Sequence, residues 1–225
     1  PLRLGELTLL APWRIAWDLN YGSVSYDDGS ANRAGWLASL LVEYDLGWTK
    51  PGLYGWYTSG DDDDRGNGSE RMPYISVANN HNAWSHYAFN GNEYISREGV
   101  VGNSMAGTWG VGLRLHDMSF VEDLKHSFRV AYWGGTNSPS MAKYVSSSYG
   151  WDNGTPEGPY LTTNDGLLEF NLVNSYQIYE NLEANLELGY IVNMVDDDTW
   201  KRSYRSDSYK KQDAWKAQLI FAYSF

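Results

Sequence analysis

The segment that decides the fold is residues 214–225, AWKAQLIFAYSF. Its odd-numbered positions are apolar, as at Trp215, Leu219 and Phe225, whereas most even-numbered positions are polar, as at Lys216. Successive side chains of a strand point to opposite faces, so this period of two indicates one apolar and one polar face. The segment is therefore predicted to be an amphipathic β-strand that ends at the terminal aromatic residue.

The same alternation recurs in seven segments upstream. They cover residues 13–21, 36–46, 53–57, 109–115, 128–132, 168–178 and 186–194. A strand that crosses a bilayer needs about 9–11 residues, and most of these segments approach that length. We therefore predict an all-β chain that forms a transmembrane antiparallel up-and-down β-barrel with eight visible strands. A soluble β-sandwich, which also alternates, is the alternative. The strongest hint of helix is one possible turn at residues 120–125.

The predicted connections alternate between short and long. The short ones are residues 45–51, 117–124 and 179–183, and the long ones are 60–106, 134–165 and 195–213. Short periplasmic turns and long external loops are typical of outer-membrane barrels. The pattern predicts one domain over residues 1–225, in contact with outer-membrane lipid in a Gram-negative cell. Residues 4–10 are predicted to end a further strand, which turns at Ala11-Pro12.

Aromatic residues make up 16% of the chain and lie near both ends of the predicted strands. Those on apolar faces at the long-loop ends are Trp36, Trp109, Tyr132 and Trp215. Those at the short-turn ends are Trp13, Tyr44, Tyr176, Tyr223 and Phe225. Amphipathic rings favour both membrane interfaces, so two girdles are expected. Between the girdles, we expect lipid to contact Trp17, Leu40, Leu113, Val130, Leu172, Leu188 and Phe221.

Composition excludes several classes of function. The net charge is −11, which disfavours nucleic-acid binding because phosphate contacts need clustered Lys and Arg. The chain has no Cys, so disulfides, thiolate metal sites and cysteine nucleophiles are excluded. Neither G-x-S-x-G nor H-E-x-x-H occurs, and the four histidines form no catalytic pattern. We therefore expect no enzyme activity, no catalytic residue and no cofactor.

Charged side chains on the polar faces are the candidate pore-lining residues. They are Arg14, Asp18, Glu43, Arg114, Arg129, Glu169, Glu187 and Lys216. Inward charges of both signs can set up a transverse field that sorts solutes. The alternative is that these residues pair with one another and fill a narrow barrel, since eight strands enclose only enough space for side chains.

The connection from Gly60 to Ala106 is the candidate constriction loop, because it far exceeds ordinary connections in length. The alternative is a surface loop that packs over the mouth or against a neighbouring subunit. Its acidic run is a weak candidate for loop-bound calcium, with plain solvation as the alternative. The run consists of Asp61, Asp62, Asp63 and Asp64. With the second acidic run, residues 196–198, it favours mild cation selectivity at low salt, which the inward arginines oppose.

Several runs of sequence resemble a known family. The runs are residues 10–15, 120–126 leading into 129–137, 176–182 leading into 187–192, and 213–225. They resemble the outer-membrane homotrimeric porins of sulfate-reducing bacteria, whose members are roughly twice this length. The resemblance implies that the chain matches the C-terminal half of a 16-stranded porin, which allows passive diffusion of ions and small hydrophilic solutes. It also implies a homotrimer.

Two further expectations concern assembly and function. The resemblance implies that the last strand is recognised by the outer-membrane insertion machinery, with Trp215, Phe221, Tyr223 and Phe225 as its apolar signal. Strand addition would supply the backbone hydrogen bonds for that recognition. The alternative function is that of a small eight-stranded outer-membrane barrel acting as a structural or surface-interaction protein.

Overall fold

The computed structural model describes residues 6–73, 106–145, 148, 151–152, 155–156, 160–203 and 211–225. It is all-β, with a single antiparallel up-and-down sheet, and the prediction of that class is confirmed. The strands are β1 (Glu6–Leu10), β2 (Trp13–Val24), β3 (Arg33–Tyr44), β4 (Lys50–Thr58), β5 (Thr108–Val121), β6 (Leu124–Gly135), β7 (Trp151–Asp152), β8 (Thr155–Pro156), β9 (Gly166–Tyr179), β10 (Leu182–Met194) and β11 (Ala214–Tyr223).

Nine of these strands form the main sheet, in the order β1-β2-β3-β4-β5-β6-β9-β10-β11. The two-residue strands β7 and β8 pair with each other inside the connection from β6 to β9. The sheet is open, and β1 and β11 are its edges in the described part of the chain. The predicted turn at Ala11-Pro12 is confirmed, because β1 pairs antiparallel with β2.

Helical structure is confined to the connections. It comprises 3-10 turns at Gly29–Ala31, Arg65–Asn67 and Pro139–Tyr144, and the short helix α1 (Asp197–Trp200). No helix among the described residues is long and apolar enough to span a membrane.

The possible helical turn at residues 120–125 is wrong. β5 continues to Val121 and β6 starts at Leu124, so Glu122 and Asp123 form a two-residue hairpin turn. Asp123 has φ +61°, a left-handed conformation that Asp tolerates better than most residues. The hairpin prevails because the pairing of β5 with β6 continues to Val121 and Leu124, which leaves only two residues between the strands.

The two faces of the sheet differ sharply in exposure. Leu113 is 57% exposed and Phe221 is 63% exposed, whereas the neighbouring Arg114 is 8% exposed and Glu169 is fully buried. Large apolar side chains thus occupy the exposed face, and the buried face holds charged side chains beside an apolar cluster. This arrangement inverts the usual one, in which large exposed apolar patches are rare.

Aromatic pairs border the exposed face at both ends of the strands. At the long-loop end, Trp36 stacks on Tyr57 with ring centroids 5.0 Å apart. At the short-turn end, Trp13 meets Tyr44 edge to face at 4.8 Å. Both pairs lie on the same face as the exposed leucines between them, so this face is an apolar belt with an aromatic row at each border.

Candidate functional site

The buried face of the sheet carries all eight charged residues that were predicted to point inward. Five are buried: Asp18, Glu43, Arg114, Glu169 and Glu187. The other three, Arg14, Arg129 and Lys216, lie on the same face of the sheet as these five and are partly exposed. The structure therefore brings the candidate residues onto one surface, although they come from seven strands. Their role in lining a pore stays a prediction.

Strand register arranges part of this set into one continuous row. The row crosses eight strands, and each member is the direct partner of the next. Its members are Arg14, Glu43, Gly52, Arg114, Arg129, Asn171, Gly189 and Lys216. We call it the basic row, because it holds four cations and one carboxylate. The alternation predicts which face each residue occupies but not which residues are neighbours, so sequence reasoning missed this row.

Glu43 is the acceptor at one end of the basic row. Its Oε1 accepts from Arg114, with Nη2 at 2.6 Å and Nε at 2.7 Å, and its Oε2 lies 3.3 Å from Nη1 of Arg14. The pair with Arg114 reaches across the intervening strand at Gly52. A Cβ at Gly52 would lie 2.9 Å from Cγ of Glu43, so glycine leaves the space that this ion pair occupies.

The middle of the basic row places two arginines side by side. Arg114 and Arg129 are direct partners on β5 and β6. Like charges directly opposite on a sheet destabilise it, so this pair opposes folding unless an anion lies nearby. Arg129 interacts electrostatically with Glu169, which also accepts hydrogen bonds from Nε1 of Trp133 at 2.9 Å and from Nδ2 of Asn171 at 3.0 Å.

Glu187 lies one row nearer the short turns and is differently placed. It is buried, and in the described part of the chain neither of its carboxylate oxygens has a hydrogen-bond partner. Its direct partners on the adjacent strands are Val173 and Gln218. A buried ionised carboxylate is costly unless it is paired or hydrated. Because both oxygens are almost inaccessible to solvent, an ionised Glu187 is a costly group on this half of the face.

The opposite half of the buried face, toward the long loops, holds an apolar cluster among buried polar side chains such as Asp18 and Glu169. Trp56 packs edge to face on Trp133, with ring centroids 4.6 Å apart, above the glycine at position 110. Connections between strands add to this cluster, because Met141, Tyr160 and Trp200 are buried in it. The loop residues were not predicted to enter the core. The sequence did contain a signal of this packing. The alternate glycines on the polar face of β5, at positions 110 and 112, leave room for large rings.

Asp61 and Asp165 link the long connections to one another through hydrogen bonds. Oδ2 of Asp165 accepts from the backbone N–H and hydroxyl of Thr162, both at 2.7 Å, and from Nε1 of Trp200 at 2.9 Å. Asp61 accepts from the hydroxyl of Tyr160 at 2.5 Å. Burial, with the Asp61 carboxylate as a second cause, raises the pKa of Tyr160, so its hydroxyl stays protonated and donates.

The acidic run that was considered for calcium serves other contacts. Asp61 is buried and bound to Tyr160, while Asp62 and Asp64 accept from backbone N–H groups of their own loop. Among the described residues, no group of three or more His, Cys, Asp or Glu side chains is placed to hold a metal ion. The carboxylates are thus engaged in shaping the loop, and a calcium site gains no geometric support.

Two other predictions concern the candidate constriction loop and the last strand of the chain. Most of the candidate constriction loop, residues 74–105, lies outside the described residues, as does the prediction that it enters the lumen. The four predicted signal residues Trp215, Phe221, Tyr223 and Phe225 are all exposed. Their recognition by the insertion machinery stays a prediction.

Comparisons of the chain with protein-family models, curated proteins and solved structures find no match.

Proposed function

We propose that this chain is part of an outer-membrane porin of a Gram-negative bacterium, which allows passive diffusion of ions and small hydrophilic solutes. The main support for the proposal is the distribution of side chains over the two faces of the sheet. One face is an apolar belt bordered by aromatic rows, and the other holds the charges. A barrel in lipid with a wet interior requires this distribution, whereas a soluble protein is destabilised by it.

Closure of the barrel is part of the proposal. Strand edges with unpaired backbone groups do not occur in contact with lipid, because each unsatisfied N–H or C=O costs several kcal/mol, roughly, in hydrocarbon. The edges at β1 and β11 therefore need partner strands in the membrane. The family resemblance supplies them as the remaining strands of a 16-stranded barrel, assembled as a homotrimer. A barrel of that size leaves an aqueous channel.

The half of the buried face nearest the short turns supports a wet interior. The basic row and Glu187 place six ionisable groups there, namely Arg14, Glu43, Arg114, Arg129, Glu187 and Lys216. The Glu187 carboxylate has no hydrogen-bond partner among the described residues. Charged groups in such number are stable when water reaches them and are costly in a dry core.

A second candidate function rests on the opposite half of the same face. Trp56, Trp133 and the loop residue Trp200 pack there as a dry cluster. If such packing filled the whole interior, the protein would be a small outer-membrane barrel that acts as a structural or surface-interaction protein. Eight strands enclose only enough space for side chains, so that barrel would not conduct.

Conductance in planar lipid bilayers tests the proposal. The full chain is refolded in detergent, its folded state is confirmed by a heat-dependent shift in gel mobility, and it is added to the bilayer. The proposal predicts stepwise conductance increases of uniform size, which heat-denatured protein does not produce. Folded protein that inserts into lipid without conducting would support the second candidate. Protein that stays monomeric and folded without detergent would overturn the membrane location itself.

A further inference from the structure

We infer that the connections after β6 and β10 form the constriction of the channel, and that they set the upper size limit of the hydrophilic solutes that pass. This inference rests on the proposed porin function and names the part of the chain that limits the pore. We call this part the inner layer. In the described part of the chain it consists of residues 139–145, 160–165 and 195–203.

The inner layer packs on the buried face of the sheet and not on the apolar belt. Its residues Met141, Leu161 and Trp200 belong to the same buried cluster as Trp56 and Trp133 of the sheet. Trp200 is fully buried, so its indole is covered on all sides by this packing. Because the belt meets lipid in the proposed barrel, the buried face encloses the channel there. The two connections then fold into the channel mouth and reduce its cross-section.

Hydrogen bonds join the two connections of the inner layer to each other. Asp165 accepts from the backbone N–H of Asp196 at 2.8 Å and from Nε1 of Trp200 at 2.9 Å. The hydroxyl of Ser203 donates to the backbone carbonyl of Val145 at 2.6 Å. The second connection is therefore held at both ends of α1 by the first. A segment that is held in this way keeps a defined position, which a constriction of fixed size requires.

The first long connection supports the inner layer from another side. The backbone N–H of Ser138 donates to the carbonyl of Asp61 at 2.8 Å, and the hydroxyl of Tyr160 donates to the Asp61 carboxylate at 2.5 Å. The guanidinium of Arg71 lies 4.7 Å from the centroid of the Tyr160 ring, which is a cation–π contact. Residues 60–73, the described start of the candidate constriction loop, thus anchor the inner layer.

The inner layer has a charged side, and it covers only one half of the buried face. In α1, Thr199 and Trp200 are buried, whereas Asp197 and Asp198 are exposed. Charged groups that face water suit the lining of a wet channel mouth. The cluster that holds the inner layer stops short of the basic row, where the side chain of Arg14 is 43% exposed. The inner layer therefore narrows one end of the channel and does not fill it.

Liposome swelling with uncharged sugars of increasing size tests the inference. The probes are a pentose, a disaccharide and a trisaccharide, namely arabinose, sucrose and raffinose. In the test variant, residues 197–202, DDTWKR, are replaced by GSGSGS, which removes α1 without a change in formal net charge. The matched control makes the same replacement at residues 26–31, six exposed residues between β2 and β3 at the same end of the sheet. Each variant is first checked for the folded gel mobility of the wild type.

A cysteine reporter shows whether the replacement releases the inner layer. Met141 is buried and the chain contains no Cys, so Met141→Cys places a single thiol inside the packed layer. Its reaction with a charged, water-soluble maleimide should be slow. The reaction should become faster by about tenfold or more when residues 197–202 are also replaced, because local release exposes the site.

We expect the test variant to raise the swelling rate in raffinose, relative to arabinose, by about twofold or more, because a wider constriction admits larger solutes. We expect the control replacement to match wild type. An exposed thiol at position 141 with unchanged relative rates would overturn the inference and leave the porin proposal intact. A thiol that stays protected after the replacement would also overturn it, because α1 would then not hold the inner layer. Folded, inserted protein that passes neither sugars nor ions, in wild type and in the test variant, would overturn both.

Discussion

The two halves of the buried face differ in chemistry although they alternate in the same way. Toward the long loops, the inward residues form a buried cluster around Trp56 and Trp133, and all members of that contiguous cluster lie on that side of the basic row. On the other side, Ile220 is buried apart from the cluster. Toward the short turns, the inward residues include Glu43, Arg114 and Lys216. Alternation thus separates the exposed from the buried face, and the size and charge of individual side chains decide which part of the buried face is dry.

The largest expected effect comes from Trp133→Ala, which opens a cavity in the dry half. Loss of the buried ring should lower the free energy of unfolding by about 3–5 kcal/mol. It also removes the indole donor to Glu169. Denaturant unfolding in detergent micelles measures the change. Trp133→Phe is the control that keeps most of the volume, and a loss as large as that of the alanine variant would show that the ring volume is unimportant.

The next effect is expected from Asp165→Ala, which releases the loops that cover the dry half. The carboxylate accepts from Thr162, from Trp200 and from the backbone N–H of Asp196 at 2.8 Å. Leaving buried donors unsatisfied costs about 1–3 kcal/mol, so destabilisation near the upper end is expected. Limited proteolysis should then cut the connections after β6 and β10 faster than in wild type. Equal cleavage rates would contradict the role given to Asp165.

In the half nearest the short turns, Glu43→Gln should have a smaller effect on stability. The carboxamide keeps an acceptor for Arg114 but loses the charge, and water can replace part of the lost interaction. We expect a loss of about 1–2 kcal/mol in the free energy of unfolding. A loss as large as that of Trp133→Ala would mean that this half is as dry as the other.

The smallest effect is expected at Asp196, which caps α1. Its Oδ2 accepts from the backbone N–H of Thr199 at 2.7 Å, and hydrogen bonds from Thr199 hold the pKa of Asp196 below its usual range. A lowered pKa stabilises the fold above the unfolded value, near 4, and that stabilisation is lost as pH falls through the folded value. Asp196→Ala should therefore cost less than about 1 kcal/mol at pH 7. The difference from wild type should shrink as pH falls below the unfolded value and through the lowered folded value, and a difference that stays constant over that fall would contradict the assignment.

Much of the fold was predictable from sequence, for a simple physical reason. The period of two is a local property, so segments such as 214–225 indicate strands and faces without knowledge of their neighbours. Register and loop packing depend on contacts between distant residues. Two features therefore could not be predicted. One is the pairing of Arg114 with Arg129, and the other is the packing of the connection residues Tyr160 and Trp200 into the buried cluster.

The face of the sheet that meets lipid can be identified directly with spin labels. Because the chain contains no Cys, single cysteines at Gln218 and Leu219 can carry a nitroxide label at adjacent positions on opposite faces of β11. In liposomes, the account predicts that the label at position 219 relaxes with oxygen dissolved in lipid, and the label at position 218 relaxes with a water-soluble nickel chelate. The reverse pattern, or access of the chelate to both labels, would contradict the central claim.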